Sequence, residues 1–147
     1  MGFALPILVF CLVISLMAGD AQRHSAEHIR LSMQQTLPDR LAGDMLRTAD
    51  AVNNWRYGKT VADGPVSLAQ TGIVPLPDNR IKTVIQGGRL WIWVPETAGV
   101  FAALRTRSMT SALALTVSGG RLRMADGTDM NLSLPSGVSE GSIVYLN

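Results

Sequence analysis

The residues most suggestive of chemistry are His24-Ser25-Ala26-Glu27-His28, which match the H-x-x-E-H arrangement of inverted zinc proteases. On a helix, histidines at this spacing share a face and can chelate a metal, with Glu27 as general base. A third protein ligand, Glu96 or Glu140, would complete the set. The pattern lies on a polar stretch just beyond an apolar run, with no flanking chain to form a cleft, so a solvated stalk face is the stronger reading. Gly58-Lys59-Thr60 resembles the end of a phosphate loop, but the Gly required five residues earlier is replaced by Asn53. A predicted helix rather than a strand precedes it, so a helix stop and turn is expected. The two histidines are the only ones in the chain, and no G-x-S-x-G elbow exists. No enzyme, metal site or cofactor is expected.

Binding chemistry is carried by other residues. Trp91 and Trp93 can form a ligand or subunit platform, or pack into the core. Arg105, Arg107, Arg121 and Arg123 can form a basic patch, or sit on solvated helix and hairpin faces. These six residues are the candidate interaction set. Thirteen basic against eleven acidic residues is a small excess, and it does not support a nucleic-acid partner.

The elements that position them follow from composition and pattern. The chain has 147 residues, 47% hydrophobic and 16% charged, with mean hydropathy +0.21, which is one domain's worth and excludes a disordered tail. The single Cys11 excludes a disulfide framework. Residues 1–19 hold an uncharged apolar run that spans about 27 Å at ~1.5 Å per helical residue, enough for a membrane anchor. The basic leader of a signal peptide is missing and the best cleavage candidate, Ala18-Gly19-Asp20-Ala21, is poor, so a retained single-span anchor is expected. Arg23 and Arg30 follow the span and none precedes it, which by charge alone favours a cytoplasmic C-terminal domain.

Residues 20–37 read as a helical stalk, interrupted at Pro38. Leu41, Met45, Ala49, Val52 and Trp55 mark one side of a second helix that Gly58 stops. A loop-rich stretch over 58–88 follows, with a short helix or turn at Ser67–Gln70 and a segment Arg80–Ile85. Arg89–Val94 is an aromatic and β-branched strand that Pro95 ends. Ala98–Arg107 is a helix. Ala112–Val117 and Arg121–Met124 flank Gly119-Gly120 as a hairpin. Met130–Leu134 alternates as a strand, and Ile143–Leu146 is a final strand, expected at an edge. The expected fold class is α+β: an N-terminal transmembrane helix and stalk over 1–37, then 38–147 as a small antiparallel sheet of about four strands with one or two packed helices.

An ordered set of segments carries a resemblance. A short uncharged N-terminus runs into the apolar span and a Gln-containing stalk. Ala51-Val52-Asn53-Asn54-Trp55, Gly58-Lys59-Thr60-Val61, Val74-Pro75-Leu76-Pro77 and Gly87-Gly88-Arg89-Leu90-Trp91-Ile92-Trp93 follow. Leu132-Ser133-Leu134-Pro135 and Gly141-Ser142-Ile143-Val144-Tyr145 close it. In this order and length the chain resembles the PilM family of type IV (thin) pilus assembly systems, including those of conjugative plasmids. The resemblance implies a non-enzymatic protein anchored in the inner membrane with its domain in the periplasm, in the pilus basal body or pilin transport apparatus. It implies other pilus-assembly proteins and pilin as partners, and it is compatible with a homo-oligomer. It supplies no catalytic or cofactor residues. A minor pilin or pilin-like subunit is the alternative. Gly2-Phe3 resembles the prepilin processing dipeptide, although Ile7 stands where Glu is usual.

Overall fold

A computed structural model describes residues 37–147, which form one compact unit. The membrane anchor over 1–19, the stalk to residue 36, Cys11 and the H-x-x-E-H residues lie outside the described residues.

Residues 37–56 are helical (α1), Pro38 included. Leu41, Ala42, Met45, Thr48, Ala49 and Val52 are buried at spacings of one, three and four, the stripe of an amphipathic helix. Thr48 is the polar member, and its hydroxyl donates to the Asp44 carbonyl at 2.6 Å. After Gly58 the chain forms a two-residue strand β1 (Gly64–Pro65) and a 3-10 turn (Leu68–Thr71). Strand β2 (Lys82–Gln86) and β3 (Arg89–Val94) form a hairpin, followed by α2 (Val100–Arg107). Strands β4 (Ala114–Ser118) and β5 (Arg121–Arg123) form a second hairpin, and β6 (Ile143–Leu146) ends the fold. The six strands lie in the order β1-β2-β3-β6-β4-β5, with every neighbouring pair antiparallel. β3 and β4 both run against β6, so they are parallel to each other and α2 joins them as a split crossover.

The two faces of the sheet are both covered. On one, Ile81, Ile85, Leu90, Ile92, Val94, Ala114 and Ile143 pack with the apolar faces of α1 and α2. On the other, Trp91, Trp93, Leu115, Val117, Leu122, Val144 and Leu146 pack under Met124, Met130, Leu132, Leu134 and Val138. Consecutive residues of β3 thus alternate between two cores, as the period of two requires.

The structure corrects three expectations. β6 is not an edge strand; it sits between β3 and β4. Its run Ile143-Val144-Tyr145-Leu146 lacks polar alternation, which is the signature of a strand buried on both faces. Met130–Leu134 is not a strand. A bridge from Arg123 to Asp129, the Arg121–Asp129 ion pair and the bond from Met130 N–H to the Leu122 carbonyl tie its start to β5, with no ladder beyond. Asn131 then turns into the left-handed region, and the segment crosses the sheet face as a cover. Its alternation is real, but it serves packing on Trp91 and Trp93 and not a ladder. The sheet also has six strands where about four were expected.

Each tight hairpin turns on a Gly-Gly pair with positive φ at both residues, Gly87-Gly88 and Gly119-Gly120. That is the mirror-image turn that matches strand twist and excludes most side chains. A carboxylate from a distant segment clamps each turn. Asp63 accepts the N–H groups of Gly87 and Gly88 at 2.7 and 3.4 Å. Glu140 accepts those of Gly119 and Gly120 at 2.8 and 3.0 Å.

Trp91 is 2% exposed, and its indole N–H meets no acceptor among the described residues. Truncation of Trp91 to Ala should cost about 3–5 kcal/mol through cavity formation. Trp91→Phe loses volume but also removes an unpaired donor whose burial costs roughly 1–3 kcal/mol. The two terms oppose, so urea unfolding of Trp91→Phe should lie within about 1 kcal/mol of wild type. A loss comparable with Trp91→Ala would show that the indole N–H is satisfied.

Candidate interaction surface

Trp91 and Trp93 are 2% and 8% exposed, so they do not form an accessible platform; they are the centre of the second core. The four arginines do not share one contact network. Arg105 lies with its guanidinium carbon 5.9 Å from the Phe101 ring centroid on its own helix. Arg107 reaches from α2 to Asp39 on α1 at 3.4 Å and passes over Gly43, where a Cβ would come within 3.6 Å. Arg121 pairs with Asp129 at 3.0 Å. Arg123 donates to the Ser118 and Gly127 carbonyls at 3.3 and 3.0 Å. Leu122 points into the second core, so Arg121 and Arg123 stand on the helix-bearing side of the sheet.

The acidic residues offered as metal ligands have other partners. Glu140 holds the hairpin turn, and the N–H groups of Gly120 and Gly119 keep its pKa below the usual carboxylate value. Glu96 packs over Gly141, where an added Cβ would meet its carboxylate oxygen at 2.6 Å. Among the described residues no group of three or more His, Cys, Asp or Glu could hold a metal ion. Among them, too, no helix is long and apolar enough to cross a membrane.

A different surface emerges in the loop between the 3-10 turn and β2. Val74 and Leu76, two residues apart, are 86% and 65% exposed. The loop is tied to α1 and to itself by charge. Arg47 of α1 donates to the Pro75 carbonyl at 3.0 Å, and Asp44 accepts the Asp78 N–H at 3.3 Å. Asp78 accepts the Arg80 backbone N–H at 3.0 Å and two guanidinium bonds, both at 2.9 Å. Arg40 reaches Asp78 from α1 at 3.4 Å. A bidentate guanidinium on a carboxylate fixes orientation as well as charge. The Arg80 side chain, with its backbone N–H, holds the Asp78 carboxyl well below the usual range. The loop therefore presents Val74 and Leu76 from a braced position. Sequence reasoning noted Val74-Pro75-Leu76-Pro77 only as part of a resemblance. The available signal was two apolar side chains in a proline-rich loop, followed by Asp78 two residues before Arg80.

Two of the hollows in the surface lie near these elements. One, about 490 Å³, lies between the β1 edge and β2 and is lined by Pro65, Val66, Leu68, Ile81, Thr83 and Trp93 among others. The other, about 460 Å³, lies at the end of α1.

Asp78 gives a pH signature. Its folded pKa is depressed from an ordinary value of 3.8, so its contribution is fully present above that value and is lost as pH falls through the folded pKa. In Asp78→Asn the network lacks its charge at every pH. Stability measured by urea unfolding should drop at neutral pH and approach wild type as the medium becomes strongly acid. An unchanged gap between the two proteins across that range would remove Asp78 as the brace.

The PilM family model matches residues 13–146. A crystal structure of a PilM protein from Escherichia coli B7A is similar to this chain at 29% sequence identity and a TM-score of 0.65. The similarity covers 78% of this chain and 94% of that one. No curated protein matches. With a family model matched over nearly its whole length, this chain belongs to the PilM family.

Proposed function

We propose that this protein is a non-enzymatic component of type IV pilus assembly, acting in the basal body or the pilin transport apparatus. The observation that carries the reading is the family match over 13–146, supported by the similarity to the E. coli PilM structure. The uncharged apolar run over 3–17 supports an inner-membrane anchor, with the domain from residue 38 onward in the periplasm. A tether of this kind raises the local concentration of partners, so a small domain needs only modest pairwise contacts. Val74 and Leu76 are the surface best suited to such contacts, because they are apolar, exposed and held in place by Asp78, Arg47 and Arg80. Other pilus-assembly proteins and pilin are the partners in this reading.

Deletion of the gene should abolish pili, counted by electron microscopy. Val74→Asp with Leu76→Asp should reduce pili strongly while changing folding stability by no more than about 0.5 kcal/mol, since both positions are exposed. Piliation at wild-type level in that double variant would remove the loop from the reading. Alkaline phosphatase fused after Asn147 should be active. An inactive fusion with an active cytoplasmic reporter would place the domain on the other side, as the arginines after the apolar run favour.

A further inference from the structure

We infer that the cleft at the C-terminal end of α1 binds an acidic peptide segment of a partner protein. The cleft holds about 460 Å³ and is lined by Asn53, Arg56, Tyr57, Lys59, Val61 and Gly88 among others. Two cations converge on it, and neither has a carboxylate within 4 Å among the described residues. Arg56 makes one long contact, 3.5 Å from its Nη1 to the Gly88 carbonyl. The Lys59 ammonium lies 5.2 Å from the centroid of the Trp55 ring. Asp63, which reaches the same hairpin, has both carboxylate oxygens engaged by the N–H groups of Gly87 and Gly88.

A helix C-terminus attracts cations by its dipole, and that alone accounts for a basic residue near residue 56. It does not account for the rest of the cleft. Neither Arg56 nor Lys59 is drawn to a carboxylate of its own fold, and both line the same opening. Tyr57 is 88% exposed beside the opening, an aromatic ring placed for contact with a partner. Val61, half-buried, adds an apolar contact. Two cations without a carboxylate partner, an exposed aromatic ring and an apolar contact fit a short chain carrying carboxylates and apolar side chains. A nucleic acid would find only two cations here, few for a polyanion. The inference goes beyond the pilus reading and does not depend on it, because peptide capture in solution can fail while piliation stays intact.

The test uses the full-length chain in nanodiscs of zwitterionic lipid and a fluorescein-labelled peptide of alternating glutamate and leucine. Fluorescence anisotropy should show saturable binding, and the peptide with lysine in place of glutamate should not bind. Arg56→Ala with Lys59→Ala should weaken the acidic peptide about tenfold. Lys59→Glu, a single change at an exposed position, should act in the same direction with circular dichroism unchanged. Lys82→Ala, an exposed cation of β2 outside the cleft, should bind as wild type. The inference is overturned by absent saturation, by undiminished binding to both cleft variants, or by equal weakening in the Lys82 variant. A single-stranded oligonucleotide that binds as tightly and loses as much in the cleft variants would also overturn it, as a generic anion site.

Discussion

Everything in this domain depends on two strands that are apolar on both sides. β3 alternates Leu90, Ile92 and Val94 with Trp91 and Trp93, and β6 alternates Ile143 with Val144 and Leu146. No face of either strand can be left in water, since a fully buried large apolar side chain contributes roughly 1.5–3 kcal/mol that exposure would forfeit. The fold answers with two unlike covers. α1 and α2 close one side with regular helical faces, and the irregular segment around 124–138 closes the other. The split crossover through α2 follows from the same need, because β6 must reach the space between β3 and β4 to be covered twice.

The regular cover was legible in the sequence and the irregular one was not. The α1 stripe from Leu41 to Val52 has helical period, and Arg89–Val94 carries β-branched and aromatic residues between Gly88 and Pro95, so both segments announced themselves. Met130, Leu132 and Leu134 alternate as a strand does, but periodicity reports which side chains are buried and not whether the backbone is paired. Here Asp129 bonds the Asn131 N–H and a left-handed Asn131 redirects the chain. β6 was misplaced for the converse reason. Its position near residue 147 suggested an edge, while its unbroken apolar run already demanded the centre. The candidate site was legible only in outline. Burial of Trp91 and Trp93 depends on the cover, and the bracing of Val74 and Leu76 depends on Arg40 and Arg47, which lie on a helix over twenty-five residues earlier.

The sheet edges restrict how partners can engage. On one side the outermost strand is Gly64-Pro65, too short to template another chain and lacking the proline N–H. On the other, β5 is hooked by residues 128–130 through the Thr128 carbonyl, the Asp129 bridge and the Met130 N–H. Strand addition is therefore disfavoured at both ends. The loops and hollows, where Val74, Leu76, Arg56 and Lys59 lie, are the surface left open.

The distribution of carboxylates matters for those two cations. The formal excess of two positive charges says nothing of where they lie. Asp63 and Glu140 are engaged by turn N–H groups, and Asp126 and Asp129 accept the N–H groups of Thr128 and Asn131. Asp44 and Asp78 brace the Val74–Leu76 loop. Neither Arg56 nor Lys59 has a carboxylate within 4 Å among the described residues. The end of α1 thus holds a basic cleft, and net charge counted along the chain could not have disclosed it.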